Sequence, residues 1–164
     1  MPSAPPTPAA PRITAADASD LDTMMAIMTG GFDPAFGEAW STAQLAGTLA
    51  LTGSFAHQAI GVSGDVIGFT LARAAGDEVE LLLIAVDREA RRQRIGRLLI
   101  DEVVKTARAR GASEIYLEVR ENNVAARRLY HSTGFVDVGR RANYYTGSNG
   151  ERFAAITMRQ KHQH

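Results

Sequence analysis

Arg91-Arg92-Gln93-Arg94-Ile95-Gly96-Arg97 lies between the apolar run Leu81 to Val86 and the amphipathic stretch Leu98 to Ala109. The three pieces read as strand, basic loop with one glycine, and helix start, an order that gathers unpaired backbone N–H groups and guanidinium charges at one point. A corner of this kind suits phosphate. Five arginines (Arg88, Arg91, Arg92, Arg94, Arg97) stand at a helix end whose dipole is already positive, at a cost of roughly a few tenths of a kcal/mol each unless an anion is present. The stretch lacks the Gly-Lys-Ser/Thr ending of a nucleoside-triphosphate loop and has too few glycines for a dinucleotide fingerprint. A solvated surface or a small nucleic-acid patch are the competing readings of the same residues.

Outward from that corner the periodicity is legible. Toward the N-terminus, Leu81 to Val86 is unbroken enough to be a strand buried on both faces, beginning near Glu78. Phe55 to Val62 and Val66 to Ala74, joined by Ser63-Gly64-Asp65, form a hairpin. Thr14-Ala15-Ala16-Asp17 resembles a capping box that opens a helix through Leu21, Met24, Met25 and Met28 to Gly30-Gly31, and Ser41-Thr42-Ala43-Gln44 offers a second for a helix through Leu45, Leu49 and Leu51 to Gly53. Toward the C-terminus the long helix runs from about Gly96 to Arg110 and Gly111 caps it. Glu114 to Arg120 alternates, with Ile115, Leu117 and Val119 on one side and Tyr116, Glu118 and Arg120 on the other. Asn122-Asn123 caps a helix through Leu129 and Tyr130 to Gly134, and strands at Phe135 to Val138 and Phe153 to Met158 flank the turn at Thr146 to Gly150. The order α, α, β, β, β, α, β, α, β, β predicts the α/β class, a mixed α+β sheet with helices on both faces.

Composition bounds the function. The 164 residues suffice for one domain, predicted over 13–160, and the formal net charge of zero gives no general pull toward nucleic acid or anionic membrane. The absence of cysteine excludes disulfides and thiol catalysis. With no apolar run near membrane-span length and no signal-peptide pattern, the expectation is a soluble, cytoplasmic protein with no membrane partner and no direct nucleic-acid partner. Five of six prolines fall in Pro2 to Pro11, so residues 1–12 read as a mobile, proline-rich tail, and Gln160 to His164 as a frayed end. His57 and His131 stand apart from other ligand types, so no metal site is expected.

Ile84-Ala85-Val86-Asp87, the loop from Arg91 to Gly96, Leu117-Glu118-Val119-Arg120, Asn122-Asn123, Ala125-Ala126, Leu129-Tyr130, Gly134-Phe135 and Arg140 to Tyr145 together resemble the Gcn5-related N-acetyltransferase superfamily. Within it they are similar to the bacterial branch that acetylates the N-terminal alanine of a small-subunit ribosomal protein. The likeness runs from about Leu21 to Met158. It implies a Gcn5-related acyl-CoA N-acyltransferase fold, acetyl-CoA as co-substrate, no metal, and the N-terminus of a ribosomal protein or other peptide as partner. It further implies that Ile84, Ala85 and Val86 contact the pantetheine and acetyl groups, that Arg92, Gln93, Arg94, Ile95, Gly96 and Arg97 cradle the pyrophosphate, and that Asn123 adds a contact. The family loop usually has glycine where this chain has Arg94, and a left-handed conformation there would cost about 1–2 kcal/mol.

The resemblance also assigns roles: Glu118 as general base for the amine, Tyr130 as general acid for the departing thiolate, and a strand N–H, that of Val86, for the oxyanion. Read alone, Glu118 is an ordinary polar strand residue and Tyr130 a core aromatic; the ordered set of motifs gives them chemistry. Trp40, Phe36, Tyr144 and Tyr145 fall where the family borders its acceptor cleft, and Arg140 and Arg141 are candidates to attract acidic peptide groups. Acetylation of a small amine or of another protein, and a non-catalytic acyl-CoA-sensing module, are the alternatives.

Overall fold

The computed structural model describes residues 10–31, 39–91 and 93–162. Their elements are β1 (Arg12–Ala16), α1 (Leu21–Gly31), α2 (Thr42–Leu49), β2 (Ser54–Ile60), β3 (Val66–Ala75), β4 (Glu78–Val86), α3 (Ile95–Ala109), β5 (Glu114–Arg120), α4 (Val124–Ser132), β6 (Val136–Thr146) and β7 (Arg152–Lys161). The strands make one sheet in the order β1-β2-β3-β4-β5-β7-β6. All pairs are antiparallel except β4 with β5, whose crossover is α3. Helices cover both faces, as the sequence predicts.

α3 is amphipathic at a helical period: Ile95, Leu99, Ile100, Val103 and Ala107 are buried, while Arg97, Asp101, Lys105 and Arg108 face water. Each fully buried Leu, Ile or Val there contributes about 1.5–3 kcal/mol. Gly111, at φ 82°, ends the helix by donating to the Arg108 carbonyl at 3.0 Å. α3 and α4 pack with Val79, Leu81, Ile115, Leu117 and Val119 on one face of the sheet. α1 and α2 pack Met24, Met28 and Leu45 against Phe69, Leu71, Leu83 and Ala85 on the other.

Leu81 and Leu83 thus face opposite layers, although two residues apart. The cause is a bulge: Leu71 pairs with Leu83 and Ala72 with Leu81, leaving Leu82 as an extra residue that inverts the parity of β4. On the other side of β4 the parallel ladder runs only from Glu78–Glu114 to Glu80–Tyr116. Beyond Glu80 the two strands part.

Four expectations are corrected. Arg12–Ala16 is an edge strand paired from Arg12–Ile60 to Ala16–Ala56, not the opening of a helix. The cap lies three residues later, where the Asp17 carboxylate accepts from Ser19 N–H and the Asp17 N–H donates to Asp20. Asp17-x-x-Asp20 is as good a box as Thr14-x-x-Asp17, and the β-branched Ile13 and Thr14 suit a strand. Arg12, assigned to the tail, therefore belongs to the sheet; residues 1–9 lie outside the described residues. At the other end, β7 reaches Lys161, and His162 is buried, its N–H donating to the Ser113 carbonyl at 2.7 Å, so this segment is not frayed up to that point. β6 extends to Thr146, well past Val138, an extent hidden because the strand is exposed along nearly its whole length and shows no apolar alternation. Finally, α2 ends at Leu49, where the Ala50 N–H donates to the Ala46 carbonyl at 3.2 Å, and does not run through Leu51 to Gly53.

His57 of β2 is buried beneath α3, with Nε2 3.3 Å from Thr106 Oγ1 and Nδ1 lacking a hydrogen-bond partner among the described residues. Burial holds its pKa below the ordinary value; the Arg110 charge adds to this and Glu102 opposes it. The unfolded chain therefore takes up the proton first as pH falls, so stability is full above about 6.5 and declines below it. Thermal unfolding at pH 7.5 and 5.5 should show a drop for the wild type that is smaller in His57→Gln; an identical drop in both would rule the histidine out as its source.

Candidate active site

Where β4 ends, Asp87 turns the chain: its carboxylate accepts from Glu89 N–H at 3.0 Å, and its carbonyl accepts from Ala90 and Arg91 N–H at 2.9 and 3.1 Å. Ala90 and Ile95 are buried with Ala59 and Leu99, which pins the loop at both ends. Arg94 occupies the left-handed region at φ 60° and ψ 23° and gives α3 no side-chain cap. α2 and α4, in contrast, are capped by Ser41 and Asn123. The first N–H groups of α3 at Ile95, Gly96 and Arg97 are thus presented to the loop, beside the exposed Arg88, Arg91, Arg94 and Arg97. Arg92 lies outside the described residues. Gly96 sits against α4: a Cβ there would lie 2.9 Å from Leu129 Cδ2, a side-chain end that would have to move aside, so α4 rides directly on the start of α3.

The parting of β4 and β5 opens a cleft of about 350 Å³ between Leu82-Leu83-Ile84 and Glu118-Val119-Arg120. Trp40 and Gln44 close it from the α2 side, Asn123, Ala126 and Tyr130 from α4, and Tyr145 from β6. Four sequence-predicted site residues, Ile84, Glu118, Asn123 and Tyr130, meet in this space. Ala85 contributes backbone only, since its side chain is buried against α1 and α2. The Asp87 N–H donates to the Ile67 carbonyl at 2.8 Å on β3. By alternation the N–H groups of Ile84 and Val86 point to the opposite edge of β4, toward the opening. Gln93 to Arg97 line no part of the cleft and form the separate corner at the end of β4.

Tyr130 is buried on the inner side of α4, its ring edge-to-face with Phe135 at 6.0 Å. Asn123 Oδ1 accepts from Ala126 N–H at 3.2 Å, a bond that does not involve its amide nitrogen. Glu118 has a side chain 25% exposed, with Arg141 Nε 3.6 Å from its Oε1. It also lines a second cleft of about 360 Å³, with Arg73, Glu78, Glu80, Tyr116, Arg141 and Thr157. There the Glu80 carboxyl is held above its usual value, first by partial desolvation and then by the Glu118 charge, with Arg73 opposing.

Sequence reasoning passed over Arg120, which is buried in the first cleft, bonds Asn122 and lies over the Phe153 ring at 5.8 Å. Its place two residues after Glu118 on an alternating strand was the available signal. Arg140 and Arg141 do not stand ready for acidic peptide groups: Arg140 forks onto Glu121 at 3.0 and 3.1 Å, and Arg141 faces Glu118. Of the aromatic candidates, Trp40 and Tyr145 line the cleft, Tyr144 is exposed with its ring edge-on to Tyr145 at 5.1 Å, and Phe36 lies outside the described residues. No group of three or more potential metal ligands occurs among the described residues. No helix there is long and apolar enough to cross a membrane.

Residues 21–135 match the acetyltransferase (GNAT) family. The [ribosomal protein bS18]-alanine N-acetyltransferase of Escherichia coli K12 is 37% identical over 94 residues, 57% of this chain; the match spans 64% of that relative's length, so under two thirds of it is covered. The crystal structure of the ribosomal-protein-S18-alanine N-acetyltransferase from Escherichia coli superposes with a TM-score of 0.83 at 31% identity, covering 92% of this chain and 93% of that one. Arabidopsis thaliana NAA60, solved in complex with acetyl-CoA, shares the fold with a TM-score of 0.77 at 22% identity, covering 92% of this chain and 98% of its own.

The left-handed Arg94 stores about 1–2 kcal/mol, of which glycine would return part, since its own backbone entropy costs about 0.5–1 kcal/mol. Arg94→Gly should therefore raise the denaturant midpoint without altering the slope. A midpoint equal to or below that of the wild type would show that the backbone is unstrained.

Proposed function

The chain belongs to the acetyltransferase (GNAT) family, and on that premise we propose that it transfers acetyl from acetyl-CoA to the N-terminal α-amine of an alanine-initiated small-subunit ribosomal protein. The observation that carries the reading is the convergence of Glu118 and Tyr130 on the one cleft opened by the parting of β4 and β5. A carboxylate and a phenol from different elements then flank the position where a thioester would lie.

Acetyl-CoA fits the residues present. Its pyrophosphate meets the uncapped start of α3, where the N–H groups of Ile95, Gly96 and Arg97 and the guanidinium of Arg94 supply donors and charge, with Arg92 and Gln93 in the same loop. Its pantetheine amides pair with the free edge of β4 at Ile84 to Val86, as an added strand does, and Asn123 offers its amide nitrogen. Arg94 in this reading offsets its own backbone strain by a charge-assisted hydrogen bond to phosphate.

The amine is nucleophilic only after losing a proton, and its ordinary pKa of about 7.7–8 leaves much of it charged at neutral pH. Glu118 accepts that proton. The amine nitrogen attacks the thioester carbonyl, and the oxyanion receives the Val86 N–H, which alternation turns toward the opening. As the carbon–sulfur bond breaks, the Tyr130 hydroxyl protonates the thiolate. Tyr130 is buried and its helix is anchored by the Asn123 cap, so the hydroxyl is held in a fixed position. Trp40 and Tyr145 wall the cleft on the side left to the acceptor, which suits a peptide terminus better than a small amine.

Thiol release with an alanine-initiated peptide, set against polyamines and aminoglycosides, tests the acceptor: preference for the peptide supports the ribosomal reading, and preference for a small amine overturns it. Glu118→Gln and Tyr130→Phe should each lower kcat by about 100-fold or more while acetyl-CoA still binds. Near-normal rates in both would remove the assignment. Arg94→Ala keeps the left-handed strain but loses the charge, so calorimetric titration should show weaker acetyl-CoA binding by about tenfold; unchanged or tighter binding would sink the phosphate role.

A further inference from the structure

We propose that Arg141 is a positioning residue for Glu118: its guanidinium reaches across β7 to steady the carboxylate that takes the acceptor's proton. The inference rests on the reading of Glu118 as the base.

Glu118 on β5 and Arg141 on β6 are separated by a whole strand. Glu118 is in register with Thr157 of β7, Thr157 with Gly139 of β6, and Arg141 with Ala155. Across two strand spacings, about 9–10 Å, only a long side chain makes contact, and only if the strand between carries small residues on that face. It does: Ala155 and Thr157 lie beneath the path, and Gly139 puts no side chain beside it. Arg141 Nε comes to 3.6 Å from Glu118 Oε1.

The backbone of β6 is shaped for this. Arg141 pairs with Ala155 and Tyr145 with Phe153, so four steps on β6 match two on β7, and the surplus forms a bulge in which Asn143 takes the left-handed region at φ 56°. Asparagine adopts that region readily, so the bulge is a built-in bend of the strand. The bulge aims its two ends into the two clefts that share Glu118, Arg141 into one and Tyr145 into the other. Tyr144, between them, lies against the Arg141 guanidinium at 5.3 Å and against the Tyr145 ring at 5.1 Å. Arg140 points elsewhere, onto Glu121.

A side chain held by a tyrosine face on one side and facing a carboxylate on the other limits the conformers of both. The separation of 3.6 Å is that of an ion pair, not a hydrogen bond, and the Arg141 side chain is 62% exposed, so the effect on Glu118 is one of orientation and is modest.

A double-mutant cycle on kcat tests this, with acetyl-CoA and the alanine-initiated peptide at saturation and acetyl-CoA affinity measured in every variant. Arg141→Ala should lower kcat by about three- to fivefold in the wild-type background, with acetyl-CoA affinity unchanged, and by less than about 1.5-fold when Glu118 is already Gln. Arg141→Lys, which keeps reach and charge, should recover most of the loss. Equal slowing in both backgrounds, no slowing at all, or no recovery with lysine overturns the proposal. A Glu118→Gln protein that turns over like the wild type instead overturns the base itself, an outcome distinct from the others because it appears before Arg141 is touched. As Arg141 is a surface side chain, unchanged acetyl-CoA affinity also establishes that each variant is folded.

Discussion

Three residue pairs of parallel ladder join β4 to β5, and everything chemical about this molecule follows from the ladder stopping there. A buried strand edge with unpaired N–H and C=O groups is costly, so a sheet that opens in its middle must offer that edge to water or to a ligand of matching shape. The bulge at Leu82 lets β4 leave β5 without leaving the core. By inverting the parity of the strand it keeps Leu81 packed against α3 and turns Leu83 and Ala85 toward α1 and α2, so both layers stay filled while the backbone bends away.

The same divergence explains where the polar groups stand. β5 keeps its alternation, so Tyr116, Glu118 and Arg120 all face away from α3 and α4, on the same side of the sheet as α1 and α2, with Trp40 and Gln44 bordering the cleft there. α4 crosses the start of α3 at Gly96 and brings Tyr130 and its own capping residue, Asn123, to the far wall. At the end of β4 the chain accepts a strained Arg94 and an uncapped helix start among several cations, an arrangement that opposes folding in the free protein and favours a bound anion. Local conflicts of this kind, left in place where α2 and α4 carry side-chain caps, mark a surface selected for something other than stability.

Much of this could be read from the residues alone, and the limits were physical. α3 and α4 were legible because helical periodicity and a terminating glycine agree at each, and β5 because its alternation is unbroken. β1 was not, because two capping boxes overlap at Asp17 and only pairing with β2 decides between them. The extent of β6 was hidden because an edge strand exposed on most of its length needs no apolar alternation. Glu118 and Tyr130 carried no signal as single residues; their order relative to Ile84 and Asn123 did. Arg120 could have been read from its place two residues after Glu118 on an alternating strand, whereas the contact of Arg141 with Glu118 was beyond sequence reasoning, since it depends on small residues in a strand far along the chain.

β6 has a further importance. It is the outer strand of an open sheet, 11 residues long, with Val136, Val138 and Tyr144 exposed, the profile that invites a second molecule to add its own strand. Adjacent arginines and a kinked stretch at Asn143 deny a flat template for such growth. The bend at Asn143 that lets Arg141 lean inward toward Glu118 therefore has a second consequence: it interrupts the straight run of backbone that an added strand would need.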